Sequence, residues 1–198
     1  MENAARTDSS FNAPMLSSWL YKNVTEEPTV TSGMNFLQKH LESGEGCTLM
    51  LKHDILGAIR KVHEFYKDHP PLQLHCIIAI RKLLDCNFTR DDIITNDTYV
   101  LQMAFNIGLK YVNSKEHIEE VARCMSQCTR SEICRRYIMH RRLYAYVITW
   151  CKKYQNTPTI LRSALRLFNW VRLSLSLGLN GLFLYTSGVL LYVEWCIR

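Results

Sequence analysis

Glycine and proline are scarce, eight and five in 198 residues, which excludes collagen-like and low-complexity chains. No glycine-rich phosphate loop, H-E-x-x-H or G-x-S-x-G run occurs, and no paired carboxylates sit on a recognisable scaffold. The chain therefore carries no legible catalytic or cofactor-binding apparatus, and neither an enzyme nor a small-molecule substrate is expected. The N-terminus, MENAARTDSSFNAPM, lacks the apolar core of a signal peptide. Eight cysteines are accordingly expected as free thiols in a reducing, cytoplasmic setting and not as a disulfide framework. The sequons at Asn23, Asn87 and Asn96 then carry no consequence. Acid is also scarce in one half: residues 100–198 hold 14 Lys and Arg against five Asp and Glu, whereas residues 1–99 hold 10 against 13. The positive field belongs to the C-terminal half.

What is present is a large apolar fraction, 47% of residues, enough for one sizeable domain with tails. It is arranged as a repeat. Ile55 to Tyr66 (ILGAIRKVHEFY), Val100 to Tyr111 (VLQMAFNIGLKY) and Leu143 to Tyr154 (LYAYVITWCKKY) share apolar residues at helical spacing and end in tyrosine. Val62, Ile107 and Trp150 fall at equivalent places. After each stretch comes a short polar break and a second apolar periodic segment, in which Ala79, Ala122 and Ala164 correspond. A small residue at a recurring position is what close helix packing requires. The breaks read as helix starts, with Asp68 or His69 before Pro70, Ser114 before Lys115-Glu116, and Asn156-Thr157 before Pro158. Between these pairs, residues 87–97 and 129–140 read as a third, short helix, opening with Thr89 or Ser131 followed by acids. Thr31 to Glu42 reads as a partial unit.

A short helix followed by two longer ones, repeated every 42 to 45 residues, resembles the armadillo repeat and its close relative, the HEAT repeat, over about residues 47–172. The glycine usual between the first two helices of an armadillo unit is missing, Asn96-Asp97 and Met139-His140 standing at that place, and the groove-lining asparagine has only loose counterparts in Asp85 and Asn169. The resemblance implies an all-α fold, a right-handed armadillo-like α-solenoid of about three repeats, in which stacking buries faces that no single unit could bury. It also implies an adaptor that binds other proteins, a peptide or a helix, along a concave surface lined by residues 70–86, 115–129 and 157–172. On that surface we expect Gln73, Arg81, Lys82, Glu119, Arg123, Gln127, Arg162, Arg166 and Asn169.

Other clusters have plainer readings. Cys124, Cys128 and Cys134 form C-x3-C-x5-C, with Cys124 and Cys128 on one helical face and His117 two turns back. Zinc sites usually rest on C-x2-C knuckles, which are absent, so core packing is expected and no metal. The basic run of Arg130, Arg135, Arg136, His140, Arg141, Arg142, Lys152 and Lys153 has no nucleic-acid motif beside it and reads as a partner-facing edge suited to an acidic protein segment. Cys47, Cys86 and Cys151 could pair as nucleophiles with His40, His53, His63, His69 or His75, but nothing in the sequence joins them. Asp91-Asp92 read as first-turn acids complementing a helix dipole.

The ends differ from the middle. Residues 1–14 are polar and aperiodic and are expected to be disordered, with Met15 to Tyr21 a short capping helix. The repeat domain is expected over 15–172, followed by an atypical hydrophobic tail, 173–198. Residues 173–193 are long and uncharged enough to cross a bilayer and follow Arg162, Arg166 and Arg172, so a tail anchor is one reading. Gly178, Asn180, Gly181, Ser187, Gly188 and Glu194 favour the other, a truncated solenoid that lacks its polar cap.

Overall fold

The computed structural model describes residues 13–95 and 98–176, with side chains from 15 to 170. Asn96-Asp97, residues 1–12 and all of the tail beyond residue 176 lie outside the described residues, so the expectations attached to them rest on sequence alone. Among the described residues every regular element is a helix. Eleven occur: α1 (Ala13–Lys22), α2 (Glu27–His40), α3 (Gly44–Lys52), α4 (Ile55–Phe65), α5 (Pro70–Asp85), α6 (Asn87–Ile94), α7 (Tyr99–Lys110), α8 (Lys115–Cys128), α9 (Glu132–His140), α10 (Tyr144–Lys153) and α11 (Pro158–Ser176). The chain divides into two compact units, Met1–Ala79 and Ile80–Arg198, the boundary falling within α5.

In the first unit α1 packs chiefly against α4, with α3 and α2 beside it. Leu16 and Leu20 from α1, Met34 and Leu37 from α2, Met50 from α3, and Ile55, Ile59 and Val62 from α4 are fully buried. The spacing of Ile55, Ile59 and Val62 is that of one helical face, and each such side chain removed from water contributes roughly 1.5–3 kcal/mol. In the second unit α8 packs against both α7 and α11, and α11 also contacts α10 and α9. Ile118, Val121, Ala122, Met125 and Cys128 recur at three- and four-residue steps along α8 and are buried, leaving Glu119, Glu120, Arg123 and Gln127 on the other side.

The tyrosine repeat is a repeat of backbone geometry. Tyr66, Tyr111 and Tyr154 are the C-cap residues of α4, α7 and α10, with φ,ψ of −103°,31°, −104°,34° and −115°,38°. Their amides donate to the carbonyls of Val62, Ile107 and Trp150, each at 2.9 Å, and their own carbonyls accept from His69, Ser114 and Thr157, again at 2.9 Å each. Three segments 45 and 43 residues apart thus make one and the same turn. The alanines of the pattern, Ala79, Ala122 and Ala164, are all buried.

The helix starts differ from expectation in detail. His69 is the acceptor that caps α5, its Nδ1 taking the Leu72 amide at 3.3 Å. Ser114 and Ser131 stand at N-cap positions without a side-chain cap bond. Ser114 Oγ meets His117 Nδ1 at 2.8 Å. Thr89 lies inside α6, which starts at Asn87, and its buried hydroxyl donates to the Leu83 carbonyl at 2.7 Å. Asp91-Asp92 consequently fall beyond the first turn of α6 and do not complement its dipole; Asp91 pairs with Arg90 at 3.3 Å. Helix α3 was not expected. It is marked by Ser43, whose Oγ accepts from the Gly46 amide at 3.0 Å, and by Glu45 in the first turn.

The joints expected to need glycine are held by other residues. Asp54, before α4, and Arg142, before α10, both have φ of 53°, a left-handed conformation that costs an L-residue with a Cβ roughly 1–2 kcal/mol relative to glycine. They lie 88 residues apart, two repeat lengths. Asp54 recovers part of that cost, since its Oδ1 accepts from the Gly57 amide at 3.3 Å. Arg142 makes no such cap. A real glycine requirement exists at Gly108, where an added Cβ would lie 2.8 Å from Trp150 Cη2 and Cζ2 and 3.0 Å from Val121 Cγ1.

Two stability predictions follow from this geometry. Arg142→Gly should raise the unfolding free energy by about 1 kcal/mol in urea titrations, with Arg142→Ala neutral, because only glycine relieves the positive φ. Gly108→Ala should lower it by about 1 kcal/mol or more: the gain in helix propensity is outweighed because the buried Trp150 ring has no space into which to retreat.

Candidate functional site

In the second unit the C-terminal end of α5 and the polar faces of α8 and α11 line a concavity of about 300 Å³. Thr159, Arg162, Ser163 and Arg166 come from α11, Arg123, Ser126 and Gln127 from α8, and Asp85 from α5. The α11 residues follow i, i+3, i+4, i+7 and the α8 residues i, i+3, i+4, so each helix offers one face. The opposite faces carry the apolar residues that pack the two helices together, which is why these side chains are left to line a groove.

The charges in the groove are unevenly compensated. Asp85 is fully engaged: Oδ2 accepts from Arg81 Nη1 at 2.8 Å and Oδ1 from Gln127 Nε2 at 2.9 Å. Arg81 also donates through Nε to Glu120, and Glu120 reaches Arg123 Nη1 at 3.6 Å. Burial works against the Arg81 charge, but Glu120 and Asp85 outweigh it and hold its pKa above the ordinary arginine value. Arg162 and Arg166 are exposed, and among the described residues neither has a carboxylate partner. The net field of the groove is therefore positive and centred on α11.

The residues expected on the binding surface separate into three groups. Arg123, Gln127, Arg162 and Arg166 all line the groove, and Asn169 is exposed one turn further along α11. Arg81 is a clasp between α5 and α8, Glu119 pairs with Lys115 at 3.9 Å, and Lys82 is half-buried with an interaction of its own. Gln73 does not belong to a binding surface. It is 1% exposed, its Nε2 donates to the carbonyls of His63 at 3.1 Å and Tyr66 at 2.9 Å, and its Oε1 lies 2.6 Å from His63 Nδ1. It closes the end of α4, where helix carbonyls lack intrahelical partners. Ser126, Thr159 and Ser163 were not singled out from sequence; the face shared with Arg123, Arg162 and Arg166 was the signal that could have found them.

The alternative chemistries find structural employment. His75 Nδ1 meets Gln38 Nε2 at 2.9 Å, His40 Nδ1 meets the Phe36 carbonyl at 3.0 Å, and His69 pairs with Glu27 at 2.9 Å. Burial lowers the His75 pKa. Cys47 donates to the Leu41 carbonyl at 3.5 Å, and Cys151 is buried. Cys124, Cys128 and Cys134 are all buried in the core, His117 stacks on Tyr111, and among the described residues no group of three or more metal-ligating side chains is placed to hold an ion. Burial pushes the thiols of Cys76 and Cys124 up, and a hydrogen bond with Cys134, added to burial, does so for Cys128. In the basic run, Arg135 donates to the carbonyls of Thr129 and Arg130 at 2.9 and 2.8 Å, Arg136 pairs with Glu132, and Lys153 meets Asn113. No helix among the described residues is long and apolar enough to cross a membrane.

No family model, curated protein or solved structure matches the chain.

Two outcomes check these assignments. Gln73→Ala should cost about 1–3 kcal/mol, because it leaves the buried carbonyls at the end of α4 without a donor; urea titration would measure this loss. In native protein at pH 8, a maleimide should label half-buried Cys86 and spare Cys76, Cys124 and Cys128 until denaturant is added, as read by mass spectrometry. Because folding raises these three pKa values, the stability they contribute is complete below the ordinary thiol value of 9.0 and declines as pH rises above it.

Proposed function

We propose that the chain is a non-catalytic, cytoplasmic protein-interaction module, an armadillo-like α-solenoid whose units are α3–α5, α6–α8 and α9–α11, and that it holds an acidic peptide segment in the groove of α8 and α11. The tyrosine turns shared by α4, α7 and α10, the buried Ala79, Ala122 and Ala164, and the left-handed residues Asp54 and Arg142 two repeats apart support the repeat reading. The observation that carries the binding reading is the pair Arg162 and Arg166, exposed on the groove face of α11 without a carboxylate partner among the described residues.

An acidic segment supplies what the groove lacks. Glu120 and Asp85 are already held by Arg81, so the cations left over are Arg162, Arg166 and in part Arg123. Guanidinium forks accept planar carboxylates in bidentate fashion, which gives direction as well as charge. Gln127 and the hydroxyls of Thr159 and Ser163 add neutral hydrogen-bonding capacity for a peptide backbone.

Fluorescence polarisation with glutamate- and aspartate-rich peptide libraries on the full chain checks this. Binding should weaken about tenfold or more in the Arg162→Gln, Arg166→Gln double variant and several-fold between 50 and 500 mM salt. An Arg141→Gln, Arg142→Gln control at the α9–α10 joint should bind as the wild type does. If that control loses binding equally, the groove is not the site. A steep salt slope together with preference for single-stranded RNA over every peptide would instead assign the basic surface to nucleic acid.

A further inference from the structure

One group in the groove is not explained by a general attraction for acid. Ser163 is only 5% exposed, yet it lines the groove, and among the described residues its hydroxyl has no hydrogen-bond partner. A helical serine ordinarily satisfies itself on the carbonyl one turn back, as Thr149 does on Ala145 at 3.1 Å and Thr48 on Gly44 at 3.0 Å. Ser126, across the groove, donates to the Arg123 carbonyl at 2.8 Å. Ser163 thus presents a sheltered, unused donor, with Arg162 and Arg166 beside it on α11 and Arg123 opposite on α8.

We infer that this group of four residues is the seat for a phosphorylated serine or threonine side chain of the bound segment; the inference rests on the acidic-segment reading and gives it an anchor. Three guanidiniums and a hydroxyl converge from two helices on one concavity. A phosphate monoester carries about 1.5 to 2 negative charges at neutral pH on three terminal oxygens that diverge in three directions. It can meet Arg162, Arg166 and the Ser163 hydroxyl at once and leave an oxygen toward Arg123. A carboxylate has one charge and two oxygens in a plane, so it neutralises one of the two unpartnered arginines and leaves the other exposed. The surroundings also select a localised dianion over a nucleic-acid backbone. Asp85 stands in the same groove and Glu120 just behind Arg123, so a run of phosphodiesters continuing along α8 would meet engaged carboxylates and no further unpartnered cation. They tolerate a single phosphate at the α11 side with neutral or basic residues leading toward Asp85.

The test uses the full chain and three degenerate peptide libraries that share flanking positions and carry phosphoserine, glutamate or serine at the centre. The phosphoserine library should bind at least tenfold more tightly than the glutamate library. Ser163→Ala, which removes one oxygen from a nearly buried site, should reduce the preference for the phosphoserine library over the glutamate library about threefold or more. Arg162→Gln with Arg166→Gln should abolish the preference, and inorganic phosphate at millimolar concentration should compete with the phosphopeptide. Circular dichroism melts of each variant separate loss of binding from loss of fold. Equal binding of the phosphoserine and glutamate libraries overturns the phosphate seat and leaves the acidic-segment reading standing. Binding of neither library above the serine control overturns both. Tighter binding of an RNA oligonucleotide than of the phosphoserine library, lost in the same arginine variant, overturns the phosphopeptide in favour of a nucleic acid.

Discussion

The closing turn of each long helix pair governs most of what lies around it. At Tyr66, Tyr111 and Tyr154 the backbone amide returns to the carbonyl four residues earlier, and the tyrosine carbonyl receives an amide three residues later. Two successive bonds of this kind leave the chain only a few residues in which to reverse, so the next helix must run back beside the one before. In the second unit that constraint brings α8 alongside α7 and α11 alongside α10, with Trp150 sealed between α10 and Gly108 of α7. With α8 also packed on α11, the faces left outside the core are the ones that line the groove.

The character of the groove follows from a drift in the repeat. Counting from the equivalent alanines, Ile77, Glu120 and Arg162 occupy one position, and Arg81, Cys124 and Arg166 another. The same two places are thus apolar or acidic in one copy and basic in the next. Arg81 finds its acids on α8 and at its own helix end. Arg162 and Arg166 belong to a stretch in which acids have nearly vanished from the sequence, so no intramolecular carboxylate among the described residues answers them. Desolvating such a pair without a counter-charge is costly, which is why both remain exposed at a concave face and not beneath it.

Much of this was legible in the residues. The three tyrosine-terminated stretches, the segments that follow them, and the short helices between them correspond to α4, α7 and α10, to α5, α8 and α11, and to α6 and α9. The expectation that Cys124, Cys128 and Cys134 pack in the core agrees with their burial. Helix α3 escaped notice because Gly44 and Gly46 lower local helix propensity and only Ser43 and Glu45 signal the start. The start of α6 was misplaced because Thr89 resembles a cap, whereas its hydroxyl turns back to Leu83. Gln73 was read as a surface residue because glutamine usually is one; here it is buried by the need of two helix-end carbonyls for a donor.

Helical periodicity, the scarcity of glycine and proline, and the recurrence of tyrosine and alanine were enough to specify an all-helical chain with a repeating turn, since those features act within a few residues of one another. Which polar side chains would be free was a different matter. Glu120, 39 residues after Arg81, and Gln127, 42 residues after Asp85, are partners only once α8 is folded beside the end of α5. Ser163 loses its water only when α11 lies against α8. Charge and hydrogen-bonding capacity are properties of the residue, but whether they are already satisfied depends on neighbours distant in the chain, and the packing of helices alone brings those neighbours within reach.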